Sequence, residues 1–322
     1  MRHAALASAL AIFAFASPAG AQKDFPSHPV TLTVGFAPGG GADIAARIVA
    51  RKLADNIGQP VVVENRPGAA GSMAARHIAA APANGYTISL STVGALVISP
   101  AVYDDHTFDA RRDIAPITMG MSLSGVMVVN ASLPVKTLGD FVTLAKAKPG
   151  EISYATPGIG GLSHLRMELF QKGAGIKLIH VPYKGGGPAM SDLLAGRVAI
   201  YSGTPATVLP YIKAGKLRAL AVEGAVRIPN MPDVPTAAEA GYPGSEAVNW
   251  YAFVAPVRTA TEILAFWNRE ITKVLRDPDV KAQLAQHDLE SQPSTREELA
   301  LSMQRDTEKW TKVVHEAHIT AE

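Results

Sequence analysis

Twice, about 120 residues apart, an apolar run of this chain breaks at proline and clustered glycines and passes into a helical pattern. Residues 30–43 read VTLTVGFAPGGGAD, and residues 152–165 read ISYATPGIGGLSHL. The first run is short, β-branched and apolar on both faces, as a buried parallel strand is. Beyond its glycines, Ile44, Ile48, Val49, Leu53 and Ile57 share one helical face, with Arg47, Arg51 and Lys52 off it. Further strands are read at 60–65, 86–93, 115–121, 125–130, 177–183, 198–203 and 216–224. Helical patterns separate many of these strands, and the βαβαβ order predicts a parallel sheet with right-handed crossovers. Ser72 reads as the N-cap of the helix SMAARHIAAA, and two more helices start near Pro188 and Thr207.

The unit repeats, so the chain is predicted to fold as two similar α/β lobes. A second correspondence fixes how they connect. GVMVVNASLPVKTLGDFVTLAK and WYAFVAPVRTATEILAFWNREI share a layout of strand, proline turn, Thr N-cap and helix. The second copy follows the complete second lobe. The chain therefore crosses between lobes near residue 120 and returns near 246. Residues 22–120 plus 247–322 make lobe 1, and 121–246 make lobe 2. Helices 261–277, 279–287 and 295–317 pack on lobe 1, the last opened by a Thr295–Glu298 capping box. Two crossings make a hinge, and both glycine turns lie at carboxyl ends of strands, where open α/β sheets bind ligands.

The N-terminus carries a basic start (Arg2, His3), an uncharged apolar stretch from Ala4 to Ala16, and Ala19-Gly20-Ala21. This is the pattern of a secretory signal peptide cleaved after Ala21, and it predicts that the mature protein is exported. The apolar stretch is too short for a span of roughly 20 residues, so no membrane span is expected after cleavage. There is no cysteine, which rules out a disulfide framework. Loss of Arg2 leaves 29 basic against 28 acidic residues. That balance argues against a nucleic-acid partner, which favours a basic stripe.

Phosphate templates fail at the first glycine turn. A P-loop ends in Gly-Lys-Ser/Thr, and no such lysine is present; the dinucleotide pattern fails because Ile44 stands sixth from Gly39. What remains is a helix N-terminus with bare amides, which suits an anion such as a carboxylate. Candidate contacts in lobe 1 are Phe36, Ala37, Pro38, Gly39, Gly40 and Gly41, with Thr92 at the end of a strand. Asp43 reads first as a helix-start residue and cap, and second as a ligand contact. In lobe 2 the candidates are Thr156, Pro157, Gly158, Ser163 and His164, then Tyr183, Lys184, Gly185 and Thr204. His164 reads equally as a ligand donor or a structural histidine. Lys184 reads equally as a countercharge or an exposed lysine.

Ser163 and His164 do not make a hydrolase pair, since neighbours project in different directions, and no G-x-S-x-G occurs. His315-Glu316-Ala317-His318 is not the zinc motif H-E-x-x-H. Neither catalysis, cofactor nor metal is expected.

Several segments in order carry a family resemblance. PVTLTVGFAPGGGADIAAR, GQPVVVENRPGAAGSMAA, HVPYKGGGPAMSDLLAGRV, YIKAGKLRALAV and MPDVPTAAEAGYPG resemble the Bug proteins, or TctC-type receptors, from about residue 25 to 320. The resemblance implies a two-lobed periplasmic-binding-protein fold of the Venus-flytrap kind, type II-like. It implies a solute-binding protein that captures a small mono- or dicarboxylate and delivers it to a two-subunit inner-membrane permease. It places one carboxylate on the loops Phe36 to Gly41 and Thr156 to His164, with the Tyr183-Lys184-Gly185 turn beside it. Members of the family often carry an acidic residue where this chain has Gly203-Thr204. That departure disfavours an amino-bearing ligand. The receptor is expected to act as a monomer. The alternatives are a ligand sensor for a periplasmic signalling partner and a secreted hydrolase.

Overall fold

The computed structural model describes residues 25–103 and 106–320. The signal peptide expected at 1–21 lies outside the described residues. The strands are β1 (Val30–Val34), β2 (Val61–Asn65), β3 (Thr87–Thr92), β4 (Ile114–Leu123), β5 (Val126–Asn130), β6 (Ser153–Thr156), β7 (Ile179–Pro182), β8 (Ile200–Gly203), β9 (Leu217–Val222), β10 (Asn249–Pro256) and β11 (Glu290–Ser291). The helices are α1 (Gly41–Ile57), α2 (Ser72–Ala80), α3 (Ser99–Val102), α4 (Ala110–Asp113), α5 (Leu138–Ala147), α6 (Leu162–Ala174), α7 (Gly186–Leu194), α8 (Pro205–Lys213), α9 (Thr261–Arg276), α10 (Pro278–Ala285) and α11 (Arg296–Ala317).

Two sheets result. The first runs β2-β1-β3-β10-β4-β11 and the second β7-β6-β8-β5-β9. Apart from the edge strand β11, the two orders correspond strand for strand. β1 pairs in parallel with β2 and β3, and β6 with β7 and β8. β10 lies antiparallel between β3 and β4, and β5 antiparallel between β8 and β9. The sheets are therefore mixed where the βαβ order alone predicts parallel pairing. The cause is the crossing: each sheet receives, near its middle, a strand that arrives from the other sheet. These inserted strands, β5 and β10, are the pair GVMVVN and WYAFVAP whose segments share a layout.

The core sits on both faces of each sheet. Leu32 and Val34 of β1 pack with Val49 and Leu53 of α1 and Trp267 of α9. Trp267 is fully buried, and its Nε1 donates to the Gly85 carbonyl at 2.9 Å. On the opposite face, Trp310 and Val314 of α11 join Trp250, Val97 and Ile78. In the second sheet, Phe141 and Phe170 pack with Met127 and Tyr154, while Met190 and Leu193 cover Val128 and Tyr201.

Chain signals set the helix ends. Thr295 Oγ1 accepts the Glu298 amide at 3.1 Å, and the Glu298 carboxylate accepts the Thr295 amide at 2.8 Å, the capping box read from sequence. Thr137 and Asp140 make a second box at α5. Two caps differ from expectation. Ser72 is the first helical residue of α2, because Gly71 before it turns left-handed (φ 94) and takes the cap position. At α9 the cap position falls on Ala260, which has no side chain to accept a bond.

Candidate functional site

The first helical amides of α1 precede its first internal bond, which runs from Ile44 to the Gly40 carbonyl at 3.0 Å. Those of α6 precede the bond from Leu165 to Gly161 at 3.1 Å. Both cap residues are glycines with φ −82 and ψ 164, and neither helix has a side-chain cap. α7 starts on Gly185, also without a side-chain cap. Three helix starts thus leave their leading amides for something outside the helix, and each start carries the positive end of a helix dipole.

They converge on one cavity of about 50 Å³ between the two sheets. Phe36, Gly40, Gly41 and Thr92 line it from the first half. Pro157, Gly158, Ser163 and Thr204 line it from the second. The volume suits a few waters or a small organic molecule. The halves touch around it. The Ala37 amide donates to the Lys184 carbonyl across the cleft at 3.0 Å. Leu162 and Leu165 of α6 share an apolar cluster with Val93, Leu96 and Trp250 of the other half.

The remaining sequence candidates are not among the lining residues. Asp43 is not among the lining residues; it is 3 % exposed, and its carboxylate accepts from the Gly39 amide (3.0 Å), Arg47 Nε (3.0 Å) and Asn65 Nδ2 (2.9 Å). Burial alone raises such a carboxyl, but these bonds outweigh it and hold Asp43 below its ordinary range. Gly39 and Pro38 shape the turn. His164 does not line the cavity. Its ring stacks on His180 with centroids 4.4 Å apart, and Nδ1 accepts the Gly160 amide at 3.4 Å. Burial pushes it below the ordinary histidine value, against the pull of Glu168. Thr156 is also spent: its hydroxyl lies 2.7 Å from His180 Nε2. Tyr183 donates to Asp192 Oδ2 at 2.6 Å, and burial with that carboxylate pushes its hydroxyl up to about 12. The Lys184 side chain is exposed, so only its carbonyl works at the cleft. Gly185 is the cap of α7, where a Cβ would stand 3.0 Å from the Ala37 nitrogen.

Sequence reading missed Ala70, Gly94, Gly186, Tyr201, Asn249 and Tyr251, all of which line the cavity. A signal for one existed. Tyr251 pairs in register with Thr92, so placing β10 beside β3 would have brought it to the site. No lining residue carries a charge. The arrangement offers amides and hydroxyls to an anion, and no Asp, Glu, His, Lys or Arg lines the cavity. Among the described residues no cluster of three or more His, Asp or Glu could hold a metal ion, and no helix is long and apolar enough to cross a membrane.

Comparison with known proteins agrees with this architecture. BugT of Bordetella pertussis is 36% identical over 308 residues, 95% of this chain and 94% of that protein. An adipate complex from Rhodopseudomonas palustris is 34% identical with a TM-score of 0.88, covering 92% of this chain and 99% of that one. MatC from Rhodopseudomonas palustris, solved with bound malate, is 28% identical with a TM-score of 0.85, covering 90% and 100%. The family model described as the tripartite tricarboxylate transporter family receptor matches residues 45–319, and the chain belongs to that family.

Proposed function

We propose that this protein is an extracytoplasmic receptor that closes on a small carboxylate and hands it to a two-subunit inner-membrane permease. One observation carries the reading. Paired helix starts with identical backbone angles, at Gly40 and Gly161, open onto an uncharged cavity between the two halves. Such amides stabilise an anion without a countercharge. In this reading residues 1–21 are removed after Ala21, and the mature chain works in the periplasm as a monomer without catalysing a reaction. The lobes are 22–120 plus 247–322 and 121–246, except that Met121–Leu123, the last residues of β4, stay paired in the first sheet. They rotate about two connections, Ser124-Gly125 and the segment 223–248, which join the sheets. The adipate and malate bound by two relatives support a carboxylate of similar size.

Thermal-shift measurements with small organic acids and their methyl esters test this. At 100 times Kd an acid should add about 2.7 kcal/mol of stability. The esters, which lack the anion, should add almost none. Esters that stabilise as well as their acids would remove the anion from the reading.

A further inference from the structure

Two buried polar atoms at the cavity wall lack a well-formed hydrogen bond in the protein. Tyr201 of β8 is fully buried, and its hydroxyl, beside Thr207, has no hydrogen bond of good geometry. Asn249, at the start of β10, has a buried Oδ1 that is likewise unpartnered. Buried polar atoms in native proteins are nearly all paired, since leaving one unmet is costly. The two atoms differ in what they accept as company. A phenol donates or accepts, whereas an amide oxygen only accepts.

A carboxylate is also acceptor-only. Placed against Asn249 Oδ1 in this orientation of the side-chain amide, it would set acceptor against acceptor. A second carboxylate would also lack a countercharge at this wall, because no Lys, Arg or His lines it. Arg166 does not fill that role. Its guanidinium donates to the Ala247 carbonyl and faces Glu223 at 3.9 Å, both in buried surroundings.

We propose that the ligand carries, besides its carboxylate, an uncharged donor group, a hydroxyl or a primary amide, that Asn249 Oδ1 and the Tyr201 hydroxyl recognise together. The carboxylate occupies the helix starts; the donor occupies these two atoms. This inference rests on the carboxylate reading above and adds the second half of the ligand to it.

Isothermal titration of the mature chain tests it with a matched panel. Butyrate has no second group, and succinate has a second acceptor-only group. Succinamate and 2-, 3- and 4-hydroxybutyrate supply a donor at different distances. At least one donor-bearing acid should bind about tenfold tighter than both butyrate and succinate. Asn249→Leu should narrow that gap to within about twofold, and Tyr201→Phe should narrow it by about threefold. Succinate leading the panel would overturn the proposal, as would a gap that survives Asn249→Leu. If Asn249→Leu does not fold, Tyr201→Phe decides: an undiminished gap overturns the proposal. Acids that all bind alike would defeat the donor group and leave the carboxylate reading standing. No binding by any acid would defeat both.

Discussion

The two main helix starts use the same backbone and opposite side chains. Gly40 and Gly161 share their dihedral angles. One residue earlier, the amides of Gly39 and Gly160 are held by the side chain four positions on, Asp43 in one case and His164 in the other. Four further on, Asp43 meets Arg47 and His164 faces Glu168. Acid–base in the first half is therefore base–acid in the second. What is duplicated is the pattern of amides that faces the cavity. The supporting side chain needs only an acceptor atom aimed at the loop, and a carboxylate and a neutral imidazole both supply one. The two starts also differ at the next position. Gly41 has as its counterpart Leu162, whose side chain reaches into the apolar cluster of the other half.

The largest expected effect is at that position. A Cβ on Gly41 would stand 2.5 Å from Thr204 Oγ1 across the cleft, while one on Gly40 would meet no atom nearer than 3.6 Å. Gly41→Ala should weaken acid binding by about 100-fold, taking overpacking as roughly 2.7 kcal/mol. Gly40→Ala should stay within about threefold. Because the nearest clash lies between halves and the contact within its own half, Tyr251 Oη at 3.2 Å, is milder, Gly41→Ala should move the unliganded unfolding midpoint little. Equal losses at the two glycines, by calorimetry, would break the claim that only Gly41 lies too close to the other half to carry a side chain.

Next comes the support for each turn. Asp43→Ala leaves the Gly39 amide, Arg47 and Asn65 without their shared acceptor. It should cost about 2 kcal/mol, read as a lower urea midpoint at unchanged slope. Asp43→Asn, which keeps one acceptor oxygen, should recover about half of that.

The contrast in charge predicts two different pH windows. Burial, with His164 beside it, pushes His180 down to about 3. The unfolded chain, with an ordinary histidine near 6.5, therefore binds the proton first. Stability should fall as pH drops below about 6.5 and level off near 3, by up to about 1.4 kcal/mol per pH unit. His164 shifts in the same direction. Asp43 is held low, so its contribution is complete above its ordinary value of 3.8 and is lost only as pH falls below that. Between pH 7 and 5 the second turn alone should weaken. A melting temperature that declines over that range no more steeply in wild type than in His180→Asn would contradict the stacked, neutral histidines.

Much of this arrangement was legible in the chain, for physical reasons that also set the limit. Periodicity gave the strands and helices, and the duplicated glycine turns gave two halves, because glycine at a strand-to-helix junction is a backbone requirement visible in sequence. Side-chain direction at a helix start is not visible in this way. Tyr183 and His164 are neighbours of the cavity in sequence, yet both bond to groups behind its wall. Tyr201 and Asn249 lie on strands whose place at the cleft follows from insertion of β5 and β10 into the other sheet's run. The crossings were implied by the matched segments, but the antiparallel insertion and its register were not.

The smallest effect concerns those matched segments. Both contain a threonine before a helix, and only one threonine caps. Thr137 accepts the Asp140 amide at 3.1 Å, within its box. In the second copy the chain turns one residue out of step. Thr259 precedes the cap residue Ala260, is 5 % exposed, and its Oγ1 is buried without a partner. A buried hydroxyl with no bond costs desolvation and returns nothing. Thr137→Ala should therefore destabilise by about 1 kcal/mol, while Thr259→Val, of the same shape, should be neutral or stabilise by up to roughly 1 kcal/mol. If both substitutions cost the same in urea unfolding, the second threonine has a bond that the first copy's geometry does not predict, and the two elements are closer copies than their caps indicate.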